Sequence, residues 1–115
     1  MPKQSTFEAL EQNAQTLANM ADGGDDLTKA RLVDFSHVLP SLEAANGFGR
    51  WAADRGYSCA IDELSGPSYD VTVTCSMVPE LKALTEVEQS LAGAAACFGG
   101  HADGWGCFAI PKLQS

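Results

Sequence analysis

Basic side chains are scarce in this 115-residue sequence: 7 lysines and arginines stand against 15 aspartates and glutamates, a formal charge of −8 at pH 7. Net negative charge repels phosphate backbones and argues against RNA or DNA as a direct ligand. Long apolar runs are missing too. Nothing approaches the roughly 20 residues of a membrane span, and Met1-Pro2-Lys3-Gln4-Ser5 lacks the apolar segment of a secretory signal. A cytoplasmic protein with no membrane partner is expected. Cysteine is confined to Cys59, Cys75, Cys97 and Cys107, none in a C-x-x-C pair. That spacing excludes zinc ribbons and thioredoxin-like sites, and without an export signal it points to reduced thiols. Charged residues make up only 19% against 45% hydrophobic, which excludes disorder over most of the length. The length suits one domain, 1–115, with a real core.

Ser5-Thr6-Phe7-Glu8 has the form of a capping box. It predicts a helix over 5–21 that packs through Phe7, Leu10, Ala14, Leu17, Ala18 and Ala21. Asp22-Gly23-Gly24-Asp25-Asp26 ends it as a solvated turn. A calcium loop is excluded there, because Gly24 and Val33 stand where an EF-hand needs ligands. Val33, Phe35, His37 and Leu39 alternate with Asp34 and Ser36, the pattern of a half-buried strand stopped by Pro40. Ser41 then caps a second helix carrying Leu42, Ala45, Phe48, Gly49 and Ala52 on one stripe, closed by Gly56.

Tyr57, Cys59 and Ile61 mark a short strand, and Ser65-Gly66-Pro67-Ser68 a turn. Tyr69, Val71, Val73 and Cys75 form the clearest strand. Thr85-Glu86-Val87-Glu88 is a second capping box, so a third helix is expected to begin there. Its stripe is Leu84, Val87, Leu91, Ala94 and Phe98, and Gly99-Gly100 ends it. Trp105 to Ile110 reads as the last strand. After the first helix, the order strand, helix, strand, strand, helix, strand over 31–110 is the ferredoxin-like split βαβ arrangement. The predicted fold is an α+β antiparallel sandwich with both core helices on one face.

The other face of that sheet should present Asp34, Ser36, Asp70, Thr72 and Thr74. RNA readers of similar topology place stacking aromatics and positive charge there, so this face argues against RNA binding. Gly47-Phe48-Gly49 sits inside a helical pattern without a third glycine and is no dinucleotide motif; Gly49 is expected to allow close approach of helix to sheet. His37 lies on the apolar parity, either as a buried histidine with a satisfied hydrogen bond or as a polar contact in a pocket beside the last strand. With His101, Asp103 and Cys107 it fits no standard zinc spacing, so no metal and no cofactor are expected. Trp51 shares a flank with Arg55, which suits a surface cation–π pair, packing under the first helix, or a partner contact.

Gly99-Gly100-His101-Ala102-Asp103-Gly104-Trp105-Gly106 joins an Asp-Gly turn signal to a tryptophan flanked by glycines. This segment resembles the Y-D-G-W-G signature of the regulator of ribonuclease activity B family, the ribonuclease E inhibitor proteins, with Ala102 in place of the tyrosine. Val33-Asp34-Phe35-Ser36-His37 is similar to that family's strand ending in histidine. So is the strand Tyr69 to Ser76 followed by a helix into the D-G-W segment, and the resemblance spans roughly Arg31 to Phe108. It implies a non-catalytic bacterial protein that binds ribonuclease E, or its degradation complex, through the enzyme's C-terminal regulatory region and restrains RNA turnover. An acidic surface suits an arginine-rich target segment. Candidate partner-binding residues are His37, Trp51, Asp103, Gly104, Trp105 and Gly106, with Asp103-Gly104 as a turn and Trp105 as packing residue the competing reading. Two rival functions stay open. One is a small enzyme or metabolite-binding domain with a pocket near His37, Asp103 and Trp105; the other is a self-associating module, a homodimer built on the first helix or last strand.

Overall fold

A computed structural model of the protein describes residues 6–112. The elements run α1 (Thr6–Asp22), β1 (Arg31–Leu39), α2 (Leu42–Ala53), β2 (Ser58–Glu63), β3 (Tyr69–Met77), α3 (Leu81–Cys97) and β4 (His101–Cys107). The four strands form one antiparallel sheet in the order β2-β3-β1-β4. This is the ferredoxin-like arrangement: each β-α-β unit leaves space between its strands for a strand of the other unit. The capping box at Ser5 lies outside the described residues.

Alternation in β1 decides which face is covered. Val33, Phe35, His37 and Leu39 point inward with Val71 and Val73 of β3, and all are buried. Helix α2 covers β2 and β3 with Ala45, Phe48 and Ala52, and α3 covers β1 and β4 with Leu84, Leu91 and Ala95. Ser41 caps α2 as its spacing predicts, its hydroxyl accepting from the Ala44 amide at 3.1 Å. Leu42 leaves the expected stripe and is exposed, because it sits at the first helical position beyond the edge of the core.

Helix α3 begins one turn earlier than the Thr85 capping box predicts. Pro79 is buried just before it, and the Glu80 carboxylate accepts from the Lys82 and Ala83 amides at 3.0 and 2.9 Å. Those bonds hold the Glu80 carboxyl below the usual glutamate range. Thr85 is instead a buried mid-helix residue. At the other end the Gly100 amide reaches Ala95 O and the Gly99 amide reaches Ala96 O, a Schellman motif with Gly99 at φ +81°. Gly47, not Gly49, provides the close approach on α2: a Cβ on Gly47 would lie 2.7 Å from the Phe98 ring, whereas at Gly49 the nearest atom is 3.6 Å away.

Helix α1 packs on α3, its backbone nearer to that helix than to the sheet. Its buried residues are Ala9, Asn13 and Leu17, with Leu10, Met20 and Ala21 half-buried. The stripe is therefore rotated from the expected one, and Phe7, Ala14 and Ala18 face solvent. The reason is a polar residue: Asn13 is inside because each of its amide groups finds a partner.

The turn after α1 is not solvated throughout. Asp25 and Arg31 form a buried ion pair with side-chain exposures of 2% and 4%, Nη1 lying 2.8 Å from both carboxylate oxygens. Nη1 also donates to Phe108 O at 3.1 Å, and Nη2 to Asp26 O at 2.8 Å. Asp25 Oδ1 accepts from the Ile110 amide at 3.2 Å, and the Asp26 amide donates to Ile110 O at 2.7 Å. One ion pair thus ties the end of α1, the start of β1 and the segment after β4.

Candidate functional site

Strand β4 starts at His101, four residues before the expected position, because Asp103-Gly104 is not a turn. Phe35 pairs with Trp105 and His37 with Ala102, so Ser36 alone faces both Asp103 and Gly104. The extra residue is a β-bulge, and Gly104 takes φ +102° within it. The bulge resets the alternation so that Trp105 turns inward beside Phe35 while Asp103 stays on the open face. Gly104→Ala should cost about 1–3 kcal/mol, the range for forcing a side chain into such backbone. A urea titration measures it, and an unchanged midpoint would contradict the bulge.

Trp105 packs against the core and its indole Nε1 donates to Asn13 Oδ1 at 2.9 Å. Asn13 Nδ2 in turn donates to Thr85 Oγ1 and Glu88 Oε1, both at 3.0 Å. This network joins β4, α1 and α3, so the D-G-W segment fastens the first helix to the sandwich. Asn13 escapes sequence reasoning because a polar residue breaks an apolar stripe; its only signal is the four-residue spacing Ala9, Asn13, Leu17.

His37 is buried in β1, with Nδ1 3.2 Å from Val71 O and its ring edge-on to Phe48 at 4.8 Å. A carbonyl only accepts, so Nδ1 carries the proton. Burial pushes the His37 pKa below the ordinary 6.5, with the Val71 carbonyl and the Asp70 charge opposing it in part. A base whose folded pKa is depressed binds its proton more readily in the unfolded chain. Stability from this site is therefore complete above about pH 6.5 and is lost as pH falls through and below that value. The melting temperature should decline from pH 7 to pH 5, and more steeply than in His37→Leu; parallel curves would contradict a buried neutral His37.

Trp51 lies on α2 with the Arg55 guanidinium 3.9 Å over its ring and the Phe48 ring stacked at 6.1 Å. It lies away from α1, which packs on α3 and is bonded to Trp105 of β4. His37, Trp105 and Asp103 do not converge: the first two point into the sandwich and the third points out of the opposite face. Among the described residues no group of His, Cys, Asp or Glu is arranged to hold a metal ion. Cys75 and Cys107 flank Val33 from the two neighbouring strands. They are thus two strand spacings, roughly 9–10 Å, apart and beyond disulfide reach.

The open sheet face is the side of the sheet that α2 and α3 leave uncovered. Cross-strand partners share a face. The register therefore places Leu32, Asp34, Ser36 and Val38 there with Asp70, Thr72, Thr74 and Ser76, flanked by Asp62 of β2 and by His101, Asp103 and Gly106 of β4. Asp34 accepts from Thr74 Oγ1 at 2.6 Å and Asp70 from Thr72 Oγ1 at 2.8 Å. Asp62 stands directly opposite Asp70, a like-charge pair of the kind that destabilises a sheet. No lysine or arginine lies on this face among the described residues.

Fold and surface together define a ferredoxin-like α+β module whose uncovered face is acidic. Residues 10–107 match the family model of the regulator of ribonuclease activity B. The chain belongs to that family, and it is thereby a regulator of ribonuclease activity. No curated protein matches it. No helix among the described residues is long and apolar enough to cross a membrane.

Proposed function

We propose that this protein restrains an RNA-degrading endonuclease of the ribonuclease E type by binding the enzyme, without catalysing a reaction and without binding RNA, in the cytoplasm. Family membership supports a protein partner. The observation that carries the choice of protein over RNA is the open sheet face, where single-strand readers need cationic and stacking side chains and this chain has Asp34, Asp62, Asp70 and Asp103. Against a small-molecule enzyme stands the divergence of His37 and Trp105 from Asp103 across the sheet.

The test is cleavage of a fluorogenic single-stranded RNA, held in large excess, as the protein is titrated into the endonuclease. Cleavage should fall and level off once the protein exceeds the enzyme, with RNA still in excess over both. Undiminished cleavage, or a loss that appears only when the protein matches the RNA, would contradict this reading. Fluorescence anisotropy at near-physiological salt should show no submicromolar binding to the RNA alone.

A further inference from the structure

The open face is not uniformly polar. At one end Leu32 is 65% exposed. Phe108, one residue past the last registered pair of β4, Val33 with Cys107, is 90% exposed. Two large apolar side chains exposed at one end of an otherwise polar face give it an apolar patch of the kind that contact surfaces use. Phe108 is no loose end, since its carbonyl is bound by the buried Arg31. From this apolar end the face runs past Asp34, then Asp103 at the bulge, to Asp70 and Asp62 at the level of Val38. Leu32 and Val38 are six residue steps apart along β1, roughly 20 Å of strand.

The charge decides what can cover such a surface. A second copy laid face to face would set these carboxylates against their own kind, an anionic lipid headgroup would be repelled, and so would a phosphate backbone. A cationic peptide gains from every carboxylate and relieves the opposed Asp62 and Asp70.

We propose that the open sheet face, from Leu32 and Phe108 through Asp34 to Asp70 and Asp62, seats a lysine- and arginine-rich segment of the protein partner that also carries an apolar anchor for Leu32 and Phe108. The inference rests on the reading of the chain as a protein-binding regulator and adds the surface and the chemistry of the segment it takes. The helix layer, where Arg50, Arg55 and Lys82 lie, does not take part.

Two measurements test it. The first is an NMR titration of the isotope-labelled protein with a synthetic Arg-Arg-Leu-Arg-Arg-Trp peptide at 0.15 M salt. Shifts should gather on open-face residues of β1, β3 and β2 and at Phe108. The second is affinity for the full-length endonuclease. Asp34→Lys with Asp62→Lys should weaken it about tenfold or more, and so should Leu32→Ser with Phe108→Ser, with melting temperatures preserved. Glu11→Lys with Glu86→Lys makes the same change in net charge on exposed helix positions and should leave affinity within about twofold. Shifts on the helices, or undiminished affinity in both face variants, would overturn the proposed surface and leave the regulator reading standing. Absence of any complex between the unaltered protein and the endonuclease would overturn both.

Discussion

Asp25→Ala is expected to lower the stability of the fold by about 3–5 kcal/mol, the cost of leaving a buried charge without its partner. Arg31 would keep its bonds to the carbonyls of Asp26 and Phe108 but lose the carboxylate that neutralises it in a site from which water is excluded. The Ile110 amide would lose its acceptor at the same time. For a chain of this length the loss corresponds to a fall of more than about 10 °C in melting temperature. Asp25→Leu combined with Arg31→Met should recover much of it, because an apolar pair of similar volume carries no desolvation cost. A single variant within about 1 °C of the parent, or a double variant no better than the single, would show that the pair does not hold the turn between α1 and β1 to the segment after β4.

Trp105→Ala should be the second costly change, at about 2–4 kcal/mol for a half-buried indole. Its ring fills space between β4 and α1, and its Nε1 supplies the donor to Asn13 Oδ1. Trp105→Phe keeps most of the packing and removes the donor, leaving a buried amide oxygen unsatisfied, for about 1–3 kcal/mol. Hydrogen exchange should rise first in α1, the helix that this bond fastens. Since the ring faces the helices, affinity for the endonuclease measured below the melting temperature should be preserved. An unchanged melting temperature with lost binding would instead make Trp105 a contact residue.

Strands with clean alternation were legible: β1 and β3 fall at their expected residues, and their parity correctly sorts Phe35 and His37 from Asp34 and Asp70. The order of elements then suffices for the ferredoxin-like topology. What escaped were polar groups whose place depends on partners far along the chain. Asp25 reads as a turn aspartate until Arg31 and Ile110 close around it, although an arginine on the inward parity of β1 is a visible hint. Thr85-Glu86-Val87-Glu88 fits a capping box, yet Glu80 caps the helix and leaves Thr85 and Glu88 to bind Asn13. Asp-Gly is a strong turn signal, but in β4 the same left-handed freedom of glycine serves a bulge, a distinction that only the register with β1 makes. The acidic face was legible through the parity of the strands; its apolar end at Phe108 was not, because that residue lies past the end of β4.

Sedimentation velocity of the fluorescently labelled protein, mixed in turn with the full-length endonuclease and with single-stranded RNA at 0.15 M salt, separates the two modes of regulation in one experiment. The label should move with the enzyme, and should sediment as free protein in the presence of RNA alone. A label that sediments with the RNA, or that stays free in both mixtures, would contradict regulation through the enzyme.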